Sequence, residues 1–192
     1  MSKASNSLVA AAAVLVLQGC AHTLTADYGQ YLQNNAGRMT FDRANVATQY
    51  TMTPSTRAHR YEFRSVAAGA ANTWVVEFGQ VIDGTMQSPD VRAALGAMNP
   101  VGESEGNQGG TIVFHLRRYA FENFQANVDL SIAVKRDGKE VFQKNYLAQG
   151  LSTSGRTIAG GAFAIKSAVQ TSTKSAVDQI LTRFFQDVQG LK

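Results

Sequence analysis

The segment from Gln125 to Arg136 alternates apolar and polar residues almost without fault, and it limits the fold more than any other stretch of the chain. Ala126, Val128, Leu130, Ile132 and Val134 fall on one side, and Asn127, Asp129, Ser131 and Lys135 on the other. Successive side chains of a strand point to opposite faces, so this pattern predicts an antiparallel strand with one buried face. Asp137-Gly138 follows as a hairpin turn. A two-residue loop would set Ile132 opposite Gln143 and Leu130 opposite Asn145. A three-residue loop with a bulge sets Val134 against Phe142, Leu130 against Tyr146 and Arg136 against Glu140. The second register pairs apolar with apolar and opposite charges, and is preferred. It implies a further strand from about Glu140 to Gln149. Upstream, Thr111 to Glu122 has Ile112, Phe114 and Leu116 at one parity and Tyr119 and Phe121 at the other, which predicts a bulge near Arg117-Arg118.

The flanking segments carry helical spacing. From Ala162 to Val188, the residues Ile165, Val169, Ala176, Val177, Ile180, Leu181, Phe184 and Phe185 form an apolar stripe, with Gly190 beyond its end. Residues 66–87 read as a helix through Trp74, Val75, Phe78, Val81 and Ile82, weakened by about 1 kcal/mol at each of Gly79 and Gly84. Ser88 and Pro89 restart a helix to about Met98 as N-cap and first residue. His59 to Arg64 alternates as a strand, and 100–110 and 150–161 are glycine-rich loops. Thr25 is the expected cap of a helix from Ala26 to Asn34, and residues 38–56, interrupted by Pro54, read as a tether or an irregular wrap. The expectation is an α+β fold: a strand, a helix, a three-strand meander and a long C-terminal helix, with the helices on one face of an antiparallel sheet. In domain terms, 1–19 is a leader, 20–58 a tether or wrap, and 59–192 the α+β domain.

The leader is read from Lys3 and the uncharged run Leu8 to Leu17. Ten residues do not span a bilayer core of about 30 Å, which needs roughly 20, so the run fits a signal-peptide core. Leu17-Gln18-Gly19-Cys20 resembles the lipobox of bacterial lipoproteins. The resemblance implies recognition of Leu17 and Gly19 by the signal peptidase, cleavage after Gly19, and a diacylglyceryl group on the Cys20 thiol. Cys20 is the chain's one cysteine, so no intramolecular disulfide uses it. A thiol left unmodified in an oxidising compartment is reactive, and lipidation accounts for its solitude. Ala21 stands where inner-membrane lipoproteins tend to carry Asp, which implies the periplasmic face of the outer membrane. Acyl chains contribute about 0.8 kcal/mol per buried methylene, enough for stable membrane anchoring.

Little else in the sequence carries chemistry. The net charge is +4 and the basic residues are scattered, with no run of five or six, so nucleic acid is not an expected partner. His22, His59 and His115 lack metal-site spacing, and no metal or cofactor is expected beyond the covalent lipid on Cys20. Gly150-Leu151-Ser152-Thr153-Ser154-Gly155 is not a nucleophile elbow, and the acids form no recognisable pair. A non-catalytic chain is expected. The segment from Asn127 to Asp187, an alternating strand, an Asp-Gly-Lys turn, Lys144-Asn145-Tyr146 and a Ser/Thr/Ala-rich helix, resembles the YajG family of lipoproteins, and more loosely the LptE and PqiC types. Those families imply accessory roles, binding an envelope protein or an envelope lipid. Trp74, Phe78, Phe142 and Phe163 are candidates to line a lipid cleft, with the glycine-rich segments as rims, although core packing is the ordinary use of such aromatics.

Overall fold

The computed structural model describes residues 21–64, 72–102, 110–151 and 161–191, with side chains of the last segment described from Ala164 onward. The fold is α+β. Its centre is the predicted meander: β6 (Gly110–Glu122), β7 (Gln125–Arg136) and β8 (Lys139–Gln149), crossed by the long helix α5 (Gly161–Val188). Asn123 and Phe124 close the first hairpin, and Asp137 and Gly138 the second. All four residues have positive φ, the geometry that matches a two-residue turn to the strand twist. The bulge in β6 lies between Leu116 and Arg118, and it brings Tyr119 and Phe121 onto the face of Leu116. In the second hairpin, Val134 faces Phe142 and Leu130 faces Tyr146, as the apolar pairing requires. The loop, however, has two residues, and the bulge falls inside β8. Lys135 therefore meets Glu140 and Arg136 meets Lys139, where Arg136 against Glu140 was expected. A bulge at Val141 restores the apolar register while leaving Asp137-Gly138 in its favoured turn.

The sheets are mixed rather than antiparallel. β2 (Gln49–Met52) lies beside β6 in parallel, with the short β5 (Asn99–Pro100) on its far side, giving the order β5-β2-β6-β7-β8. A second, three-stranded sheet has the order β1-β4-β3, from β1 (Ala21–Thr23), β3 (Arg60–Arg64) and β4 (Thr73–Glu77). β1 is parallel to β4, and β3 antiparallel to it.

These pairings correct three expectations. The helix expected over 66–87 is strand β4 followed by helix α3 (Phe78–Met86). Trp74, Val75 and Val76 are all buried, so both faces of β4 are covered and it shows no alternation, and Trp74, Phe78 and Ile82 mimic a helical row. Gly79 is needed rather than tolerated: a Cβ there would come within 2.6 Å of the Arg57 carbonyl oxygen. The segment 38–56 is not simply a tether or wrap, since it supplies β2, and helix α2 (Pro54–Arg57) follows with Thr53 as its cap. Residues 21–58 therefore belong to the domain, and Leu24, Tyr28, Leu32, Phe41, Tyr50 and Met52 are in its core. Thr25 does not cap the first helix, α1 (Tyr28–Asn34); its hydroxyl accepts instead from the Glu77 N–H at 3.2 Å, joining this segment to the small sheet. Ser88 and Pro89 do start helix α4 (Pro89–Leu95), the Ser88 hydroxyl accepting from Val91 N–H.

Candidate functional site

Helix α5 has two unlike sides. Ile165, Val169, Ala176, Val177, Ile180, Leu181, Phe184 and Phe185 are all buried in the core that α5 shares with the meander. Between Val169 and Ala176 the stripe is interrupted by Gln170, Ser172 and Thr173, which are also buried and hydrogen-bonded. The Ser172 hydroxyl accepts from Ala126 N–H at 2.9 Å, the Thr173 and Tyr119 hydroxyls lie 2.8 Å apart, and Gln170 donates to the Leu24 carbonyl at 3.1 Å. Buried polar groups are tolerated when they are bonded, so this belt pins α5 to β6, β7 and the connection after β1. Gly150 completes the joint: a Cβ there would overlap the Ser172 carbonyl oxygen.

The other side of α5 faces a groove of about 670 Å³. Tyr31 of α1, Asn35 just past its end, Arg38, Met39 and Leu151 line it together with α5. The Tyr31 hydroxyl donates to Thr171 across 3.2 Å and holds α1 in place. Lys174 and Asp178 line the groove 2.6 Å apart, with only 12% and 18% of their side chains exposed. Burial pushes the Asp178 carboxyl above the usual range, against the pull of Lys174. Lysine four residues before an acid is the weaker order for a helical pair, so helix stability alone does not account for it. Arg183 lines the same groove and donates from Nη2 to the Leu147 carbonyl at 2.7 Å.

That contact leads to the sheet edge. β8 is an edge strand, and its last carbonyls are taken by α5 side chains, Leu147 by Arg183 and Gln149 by Gln179. Side-chain donors thus cover part of an edge that is otherwise open to another chain. Among the described residues, the large apolar side chains left exposed are Val141 at 44%, Leu147 at 70% and Leu151 at 65%. All three lie on β8 or just past its end. Leu147 also lines a second hollow, of about 420 Å³, with Arg118, Asn127 and Asp129 on the sheet's outer face.

The residues expected from the sequence are not gathered here. Trp74 is buried in β4 and stacked by His22 at 5.0 Å, Phe78 is buried against Tyr119 at 5.5 Å, and Phe142 packs on Phe184 at 6.1 Å. None of the three lines the groove; Trp74 and Phe78 are part of the common hydrophobic core and Phe142 packs against it. The Phe163 side chain, Leu17, Gly19, Cys20 and most of both glycine-rich rims lie outside the described residues. The groove was missed because it depends on α1 meeting α5, a contact between residues 140 positions apart. The usable signal was polar residues at helical spacing, from Thr171 through Lys174 and Asp178 to Thr182, on a helix that is otherwise buried.

Among the described residues no three His, Cys, Asp or Glu side chains are placed to hold a metal ion. His59 meets the rings of both Phe78 and Tyr119 edge to face, and burial lowers its pKa. His115 lines a shallow outer-face hollow with Arg117, Ser131 and Gln143. No helix among the described residues is long and apolar enough to cross a membrane.

Comparison with known proteins adds one structural likeness. No family model matches the chain, and no curated protein does. Among solved structures, it is similar to a Xanthomonas campestris protein of the DUF330 family, with a TM-score of 0.46 and 12% identity, over 78% of this chain and 90% of the other.

Proposed function

We propose that the chain is a lipoprotein anchored through Cys20 at the periplasmic face of the outer membrane, where it binds an envelope protein along the β8 edge and the adjoining groove without catalysing a reaction. The observation that carries this reading is the concentration of exposed Val141, Leu147 and Leu151 on one sheet edge beside the groove. Isolated exposed apolar residues are ordinary, but several along an open strand suit a partner that adds its own backbone or apolar side chains. The anchor rests on the lipobox-like Leu17-Gln18-Gly19-Cys20, and the resemblance to YajG-family and LptE- or PqiC-type lipoproteins fits an accessory role. Crosslinking of full-length protein in envelopes, followed by mass spectrometry, tests it. A specific envelope protein recovered with the wild type and lost with Leu147→Glu/Leu151→Glu is expected. Recovery of the bait alone contradicts it.

A second reading takes the groove as the seat of a lipid-like ligand. Its support is that Arg38 and Arg183 stand with Met39, Tyr31 and Leu151 around a volume within the usual range for ligand pockets, about 300–1,000 Å³. Native mass spectrometry of protein released from membranes separates the readings: a co-purifying anionic lipid favours the carrier, and an empty chain favours the protein partner.

A further inference from the structure

β1 begins at Ala21, the residue after Cys20. It is tied into the small sheet at once, Ala21 opposite Thr73 and Thr23 opposite Val75, and the Leu24 N–H continues to the Val75 carbonyl at 2.8 Å. Consecutive Cα atoms are about 3.8 Å apart, so a lipid on Cys20 has no spacer between it and folded structure. A lipoprotein on a long tether explores a wide volume above the membrane, whereas this one is held flush.

The register then fixes which surface is held there. Arg64, the exposed last residue of β3, lies opposite Thr73 on the far side of β4 from Ala21, and so at the same end of the sheet. β3 and β6 run side by side in one direction, with Tyr61 against Tyr119 at 5.3 Å and Phe63 against Phe121 at 5.4 Å. The Asn123-Phe124 turn that follows β6 thus stands at the same end as Arg64. Glu122, the acid nearest that turn in sequence, lies 3.7 Å from Arg118. The Asp137-Gly138 turn is at the other end of β7, about 35 Å away at the strand rise per residue.

Resting on the lipidation of Cys20 proposed above, we infer that the end of the molecule bearing Ala21, His22, Arg64 and the Asn123-Phe124 turn lies directly against an anionic lipid headgroup layer. The Asp137-Gly138 turn points away from it. Arg64 supplies the charge that suits such a layer, and the Leu151 end of the partner groove stands closer to the membrane than Val141 does.

The test uses the full chain with its lipid, Cys20 being blocked by that lipid. A thiol-reactive fluorophore is placed on Asn123→Cys or on Lys139→Cys, and the protein is reconstituted into phosphatidylethanolamine/phosphatidylglycerol vesicles containing a nitroxide-headgroup lipid. With the two sites separated by most of the strand length, quenching at position 123 is expected to exceed that at position 139 by about threefold. Glu122→Cys serves if the turn does not tolerate the first change. Intact mass read on the same samples separates the two ideas. Absence of the lipid on Cys20 overturns the anchor and this orientation together. Equal quenching at both ends of a lipid-bearing chain, or stronger quenching at position 139, overturns the orientation alone.

Discussion

The two sides of α5 use the same helix for opposite purposes. Towards the sheet, Ile180, Phe184 and Phe185 are fully buried among apolar neighbours, and only hydrogen-bonded polar groups interrupt them. Away from it, Lys174, Asp178 and Arg183 border a groove that α1 only partly covers. The inner side fixes the fold, because close-packed interiors respond to the loss of even a methylene. The outer side carries charges that folding alone does not require, and the exposed Leu151, just past the end of β8, lines the same groove. Where the two sides meet, at Gly150 and Ser172, the strand edge and the helix are joined backbone to backbone.

The contrast can be broken hardest from the inside. Phe184 touches Phe142, Tyr146 and Phe185, so Phe184→Ala should destabilise the fold by about 3–5 kcal/mol, measured by urea unfolding. At the joint, Gly150→Ala must displace either β8 or α5, which sets an expected loss of about 2–3 kcal/mol. On the outer side, Lys174→Met leaves the Asp178 carboxylate largely buried without its cation. A cost of about 2 kcal/mol is expected, reduced from the fully buried case by the remaining exposure. The double change Lys174→Met/Asp178→Leu should recover most of that loss, and a thermodynamic cycle over the four proteins reads the coupling.

The smallest expected effect is a pH dependence. Burial lowers the pKa of His59 in the folded chain, so below about 6.5 the unfolded chain takes up this proton first. Stability should be flat with respect to this group above pH 6.5 and decline below it, until the folded histidine also protonates. His59→Phe should flatten that part of the curve in denaturant titrations at several pH values.

The inner side was largely legible in the sequence and the outer side was not. β7 and α5 are long, regular patterns, and the hairpin register followed from pairing Val134 with Phe142 and Leu130 with Tyr146. The loop length and the place of the bulge were misjudged, because turn chemistry at Asp137-Gly138 outweighed the charge pairing of Arg136 with Glu140. β4 misled because both of its faces are covered, which leaves no apolar–polar alternation to read. β2 was hidden for a different reason: it is four residues long, and its neighbours are parallel strands distant in sequence. Ser172 and Thr173 resembled a break in the apolar stripe, although both are buried by bonds to Ala126 and Tyr119. The candidate site shares this difficulty. Leu147 has the parity opposite to the buried Tyr146 and Ala148, and whether such a residue is core or surface depends on whether another layer covers that face of the sheet.

The most direct test of the central claim is crosslinking in living cells with a photoreactive residue at Leu147 or Leu151, compared with one at His115 on the outer sheet face. Both leucines are exposed, so their substitution should change stability by no more than about 0.5 kcal/mol. The account predicts one shared envelope protein crosslinked from positions 147 and 151 and not from 115. Equal labelling from all three positions, or none from the β8 edge, would contradict it.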